Sequence, residues 1–234
     1  MHASCCEGQG TRLFGSLPEF VFSLDTPMNP RIVRVNLYTA SSLTFSVQDN
    51  DAVVNMSTLW PYESTVVLSL SLPASAAHLV LALRSPEWLP YPLALVVNGA
   101  TWPATAAPGS FIHITPVNGW LAGVNTVTLE LQMGWSVVPY TGHSQLPPYQ
   151  RAAFLYGPIL MSFEGPWDTA SDSLVMPTGI SANSQPSTWL TSASDGNTLH
   201  FNVSTARGGA GYTVRPYFEV QEANARFSNY PCFH

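Results

Sequence analysis

From Ile32 onward, apolar residues recur at every second position. "VRVNLY" sets Val33, Val35 and Leu37 against Arg34, Asn36 and Tyr38, and "SLTFSV" places Leu43, Phe45 and Val47 on one side. "TVVLSLSLP" repeats the pattern with Val66, Leu68, Leu70 and Leu72 before Pro73 stops it. "HLVLALRSP" supplies Leu79, Leu81 and Leu83, "LALVVNG" runs into a turn at Asn98-Gly99, and "NTVTLELQM" carries Val127, Leu129, Leu131 and Met133. A period of two sends alternate side chains to opposite faces of a sheet. Short strands of this kind, separated by Pro, Gly and Asn, predict an antiparallel β-sandwich. The 20 prolines fit, since they fall mostly between the alternating runs.

Two stretches break the period. Near the start, Ser4 followed by Glu7 fits a capping box, and Leu13, Phe14 and Leu17 recur at helical spacing. Pro18 predicts a stop near Ser16, giving a helix from Ser4 to about Ser16 that Gly8 and Gly10 weaken. After Met133, "GWSVVPYTGHSQLPPYQ" reads as a connector and "RAAFLYGPILMSF" as one strand. "SANSQPSTWLTSASDGN" reads as an exposed polar excursion, and "LHFNVST" and "YTVRPYFEV" as further strands. The expected fold class is mainly β: a helical stub over 1–24, an antiparallel β-sandwich over 25–135 and a second β domain over 136–234, with no repeat of 20–50 residues.

Composition narrows the classes of function. Of 234 residues 46% are hydrophobic, but only 9% are charged, and every cation is an arginine. The formal charge of -6 comes from scattered acids, so there is no basic patch for a nucleic-acid backbone. No apolar run reaches the length of a membrane span, and the first residues carry no apolar leader, which leaves the compartment unassigned. Asn55-Met56-Ser57 and Asn202-Val203-Ser204 are sequons of a kind that arises often by chance.

The three cysteines are Cys5, Cys6 and Cys232, an odd number that makes no disulfide framework. Three readings of the Cys5-Cys6-Glu7 cluster compete. Two small buried hydrophobes are the plain one. A redox role with Cys232 lacks C-x-x-C spacing. The third is a metal and nucleophile site, since thiolates suit zinc and the positive end of a helix dipole favours the thiolate. Two neighbouring thiols are too few for a tetrahedral site. His78, His113, His143 and His200 stand singly, where a histidine is more often hydrogen-bonded structure than ligand.

"CCEGQGTRLFGSLPEFVFS" resembles the segment that ends the catalytic barrel in glycoside hydrolase family 127, the β-L-arabinofuranosidase family. "VRVNLYTASSLTF", "TLWPYESTVVLSL", "LALRSPEW", "LVVNG", "GSFIHI" with "GWLAGVNTVTLELQM", "FLYGPILMS" and "VRPYFEVQEANARFSNY" resemble later landmarks of that family, in the family's order. "GVN" departs from the usual Gly-Asp pair, which puts Val124 where a turn would favour an acid. The resemblance implies an (α/α)6 barrel followed by β-sandwich domains, so the helical stub would be the barrel's last remnant. It also implies retaining hydrolysis of terminal β-L-arabinofuranosides. Cys5 maps to the nucleophile, and Cys5 and Cys6 map to ligands of a Zn2+ ion; the other ligands and the glutamate acid/base have no counterpart here.

The expectation is a fragment of such an enzyme, inactive alone, whose parent acts on glycans containing L-arabinofuranose. Its helix should leave Leu13, Phe14, Leu17 and Phe20 poorly buried where the barrel would pack, with aggregation as the consequence. The alternative is a non-catalytic β-sandwich module that binds carbohydrate or packs structurally. Trp60, Tyr62, Trp88, Tyr91, Trp102, Trp120 and Trp135 would serve the binding version if exposed, whereas burial would mean ordinary packing.

Overall fold

Helix α1 (Cys5–Ser16) runs into a 3-10 turn at Leu17–Phe20, where Pro18 takes one of the first two positions. In the computed structural model, which describes residues 5–142, 148–169, 173–220 and 227–233, the chain divides into two compact units, Met1–Gln132 and Met133–His234. Leu13, Phe14, Leu17 and Phe20 are 58%, 71%, 40% and 53% exposed, so the apolar side of this helical entry lies uncovered, as the resemblance implies.

The first unit is built from strands β1 (Phe22–Leu24), β2 (Ile32–Val35), β3 (Ser41–Val47), β4 (Asn50–Thr58), β5 (Thr65–Leu72), β6 (Val80–Arg84), β7 (Leu95–Val97), β8 (Ala100–Thr101), β9 (Phe111–Ile114) and β10 (Gly123–Glu130). They form two sheets, in the orders β1-β2-β6-β9 and β3-β4-β5-β10-β7-β8. Pairing is antiparallel throughout except between β2 and β6, which run in parallel. Val33, Val35, Leu81, Leu83, Ile112 and Ile114 of the first sheet share one core with Val54, Val66, Leu68, Leu70, Val127 and Leu129 of the second. That shared core makes the unit a sandwich, and its inward residues are those the two-residue period selects.

Strand β4 was not among the expected elements. Its inward Ala52, Val54 and Met56 alternate with Asp51, Val53, Asn55 and Ser57, and the polar half masks the period. A two-residue turn at Gln48-Asp49 joins it to β3, with both residues at positive φ (49° and 61°), the geometry that matches strand twist. The Asn98-Gly99 turn is built the same way, with φ of 47° and 81°. The "GVN" departure is also accommodated. Val124 points to solvent, while the buried Asn125 amide accepts from Leu121 N–H (3.1 Å) and Asn98 Nδ2 (3.0 Å) and donates to Leu121 O (2.9 Å).

The second unit corrects four expectations. "GWSVVPYTGHSQLPPYQ" is not all connector: Trp135–Pro139 is strand β11, paired with β12 (Gln150–Tyr156) from Trp135↔Tyr156 to Pro139↔Ala152. "RAAFLYGPILMSF" is two strands, because the chain reverses at Gly157-Pro158 and returns as β13 (Ile159–Glu164). Gly157 has φ +59°, and a Cβ there would lie 2.7 Å from Met133 Cγ, so the turn requires glycine. The Ser-rich stretch is not simply exposed. Ala182, Trp189 and Leu190 within it are buried, and the Trp189 indole is among the largest fully buried side chains.

The remaining strands are β14 (Trp167–Asp168), β15 (Ser173–Leu174), β16 (Leu190–Ser192), β17 (Phe201–Val203), β18 (Thr213–Pro216), β19 (Phe227–Ser228) and β20 (Cys232–Phe233). The main sheet runs β11-β12-β13-β18-β17-β16, with β19 on β13 and β20 on β12. "YTVRPYFEV" is a strand only to Pro216 and then turns at Tyr217–Glu219. Rings of Phe154, Phe163, Trp189 and Phe233 fill the core, Phe154 lying edge-on to Phe163 at 5.1 Å and to Trp189 at 5.7 Å. No helix among the described residues is long and apolar enough to cross a membrane.

Two outcomes are expected. Trp189→Ala should destabilise the chain by about 3–5 kcal/mol, whereas Trp189→Phe, which keeps a ring on Phe154, should cost clearly less in urea unfolding. Equal losses would mean that the core does not depend on a ring there. Phe14→Glu should reduce self-association in light scattering while leaving the melting temperature nearly unchanged, since Phe14 supports no core.

Candidate functional site

Cys5 and Cys6 lie in the first turn of α1, so their backbone N–H groups belong to the free, electropositive end of a 12-residue helix. Ser4, expected as the cap, lies outside the described residues, as does His143; the side chains of Cys5, Cys6 and Glu7 also lie outside them. Among the described residues no three His, Cys, Asp or Glu side chains form a group that could hold a metal ion. Two thiols suit zinc in kind but supply half of a tetrahedral shell. Cys232 is a buried free thiol of the second unit whose Sγ donates a weak hydrogen bond to Ser173 Oγ at 3.5 Å.

The histidines take ordinary places with one exception. His78 is exposed before β6, and His113 is exposed on β9 opposite Ala82. His200 instead contacts two carboxylates, Asp195 Oδ2 at 2.5 Å from Nδ1 and Glu219 Oε2 at 2.6 Å from Nε2. Asx turns create this approach: Asp195 Oδ1 accepts from Asn197 N–H (3.0 Å) and Asn197 Oδ1 accepts from Leu199 N–H (2.9 Å), which folds His200 back over Asp195. Glu219 arrives from the 3-10 turn Tyr217–Glu219. No sequence spacing announces a cluster drawn from 195, 200 and 219.

A neutral imidazole carries one N–H, so two short contacts to carboxylates suit the imidazolium. Partial burial lowers the His200 pKa, but the hydrogen bonds and charges of Glu219 and Asp195 outweigh it and raise the net value above the usual 6.5. The hydrogen bond from His200 holds Asp195 below its usual 3.8. Beside the cluster lies a cleft of about 230 Å³ lined by Asn202, Thr213 and Arg215, whose guanidinium pairs with Glu164. This group clamps two loops; its imidazolium and the neighbouring guanidinium both already face carboxylates, which leaves little for an anionic ligand.

Most of the aromatics pack. Trp60 stacks on Trp88 at 5.8 Å, and both, with Trp102, lie against the first core. Trp120 is buried and donates from Nε1 to Leu79 O at 2.7 Å. Trp135 packs on Tyr156 and Phe201 in the second unit. Tyr62 and Tyr91 remain open, 46% and 68% exposed.

The clamp has a pH signature. A raised His200 pKa stabilises the fold fully below about pH 6.5, and that stabilisation fades as pH rises through the folded-state value. The lowered Asp195 pKa stabilises above about pH 3.8 and fades as pH falls through its folded-state value. Thermal melts should therefore lose stability as pH rises above about 6.5, and His200→Gln should flatten that slope. Parallel curves for the two proteins would exclude the clamp as its source.

Residues 32–133 match the family model described as "Beta-L-arabinofuranosidase, GH127 middle domain". No curated protein matches. Among solved structures, a GH127 β-L-arabinofuranosidase from Geobacillus stearothermophilus T6 is similar over 99% of this chain and 38% of its own, with TM-score 0.67 and 19% identity. A GH127 β-arabinofuranosidase aligns over 99% of this chain and 39% of its own (TM-score 0.68, 16% identity). A further glycoside hydrolase aligns over 98% and 39% (TM-score 0.65, 17% identity). The chain therefore spans about two-fifths of the length of these proteins, and at such identities the likeness concerns the fold. Residues 32–133 thus resemble a GH127 middle domain, and nearly the whole chain shares its fold with part of these glycoside hydrolases.

Proposed function

We propose that this chain is the C-terminal part of a retaining glycoside hydrolase that cleaves terminal β-L-arabinofuranosides, and that it is inactive by itself. The observation that carries this reading is the middle-domain match over residues 32–133, with a Cys-Cys helix standing before it in the chain. The uncovered Leu13, Phe14, Leu17 and Phe20 support it, since an apolar helix face of this size belongs against a larger body.

In this reading Cys5 is the nucleophile, and Cys5 and Cys6 are two donors of a zinc shell completed from elsewhere in the longer protein. Their place at the free end of α1 favours the thiolate, the form that both attack and metal ligation require. Sulfur attack at the anomeric carbon forms a C–S bond as the glycosidic C–O bond breaks, and the departing oxygen must be given a proton. Water then attacks the same carbon, giving a proton to the base left by the proton donor, and the C–S bond breaks to release the sugar and restore the thiolate. This sequence has no counterpart for the family's acid, so the chain alone would supply a nucleophile without its proton donor.

The 234-residue chain should release no more sugar from an aryl β-L-arabinofuranoside than buffer does. It should also bind zinc at well below one ion per chain by elemental analysis. Turnover near that of full-length relatives, or a stoichiometric zinc ion retained through gel filtration, would overturn the proposal.

A further inference from the structure

The outer face of the second sheet in the first unit carries a groove of about 360 Å³ that the hydrolase reading does not use. The two-residue period that buries Val127, Leu129 and Leu131 turns Thr128, Glu130 and Gln132 outward along one line. Cross-strand register then adds a second line, Thr128 opposite Val96 and Val96 opposite Thr101, across β10, β7 and β8. The Pro90-Tyr91-Pro92 segment walls the groove, and Tyr91 is 68% exposed there. An open tyrosine between two prolines loses little freedom on binding, because the flanking φ angles are already fixed.

Glu130 is the polar anchor. Its carboxylate accepts from Ser64 Oγ at 2.6 Å and from Thr65 Oγ1 at 2.8 Å, one hydroxyl on each oxygen. Those bonds hold the carboxylate in place yet use about half of its acceptor sites. No cation pairs with it among the described residues. The groove thus combines an aromatic wall, an apolar patch at the outward Val96, hydroxyls at Thr101 and Thr128, and one oriented carboxylate.

That combination selects its ligand by exclusion. The unpaired Glu130 repels phosphates and uronates, which disfavours nucleotides and acidic polysaccharides. A wholly apolar ligand would strip water from the carboxylate and hydroxyls without replacing their hydrogen bonds. A neutral sugar ring answers both demands, since it has a C–H face for the tyrosine and vicinal hydroxyls to donate to the carboxylate. We propose that the groove bounded by Tyr91 and Glu130 binds one ring of a neutral glycan, with no chemistry performed on it. The site needs only the first unit and does not depend on the hydrolase reading.

The test is an amide-shift NMR titration of the 234-residue chain with a neutral linear arabino-oligosaccharide, alongside an oligogalacturonate and a lysine-rich peptide. The neutral sugar should move the amides of Val96, Thr101 and Thr128 with millimolar or tighter affinity and be recovered intact. Tyr91→Ala should weaken it about tenfold, and Glu130→Gln several-fold, with melting temperatures near wild type because both side chains are exposed. Absence of shifts at about 10 mM sugar overturns the proposal. So do shifts that survive both substitutions, or tighter binding of the oligogalacturonate or the peptide. The zinc and turnover measurements report on α1 and these shifts on β7, β8 and β10, so either reading can fail alone.

Discussion

Eight consecutive residue pairs between β5 and β10, from Leu72↔Gly123 to Thr65↔Glu130, are the constraint from which the first unit follows. Moving that register by one residue would turn Leu68, Leu70, Val127 and Leu129 out of the core and bring Ser69, Thr126 and Thr128 in. The pairing also continues outward. With β10 fixed, β7 aligns on it at Leu129↔Leu95, and the left-handed Asn98-Gly99 turn sends β8 back along β7. At its far end the same register delivers Glu130 to the hydroxyls of Ser64 and Thr65. Core and groove are two faces of one alignment.

This dependence explains what was legible in the sequence. Strands such as "TVVLSLSLP" and "NTVTLELQM" declare themselves because their inward residues are large and their outward ones polar. β4 hides because Ala52 is small and Asn55 and Asp51 are poor strand formers, so its existence rests on neighbours that bury Val54 and Met56. The reversal at Gly157-Pro158 is obscured by apolar residues on both sides, which read as one run until pairing divides them. Trp189 was lost in a polar stretch, where composition averaged away a side chain that the core requires.

The candidate sites separate along the same line. Cys5 and Cys6 are visible as neighbours, but their meaning comes from resemblance to a family, since local spacing offers too few donors. The Asp195, His200 and Glu219 cluster needs both an Asx turn and a separate 3-10 turn to assemble, and neither leaves a signature at fixed spacing. Tyr91 could be picked out as an aromatic near strand ends, yet only the register shows that it shares a groove with Glu130. Packing claimed most of its fellow aromatics, as their size predicts.

The order of strands in the second sheet leaves its two borders unequal. β8 is a two-residue border, too short to template another chain, whereas β3 presents seven residues with pairing on one side only among the described residues. Its outward side chains are serines and threonines, with no lysine or proline to interrupt an incoming strand. Strand addition at β3 is therefore a route of association separate from the apolar face of α1. Making the apolar face of α1 polar would leave this backbone border still open to hydrogen bonding.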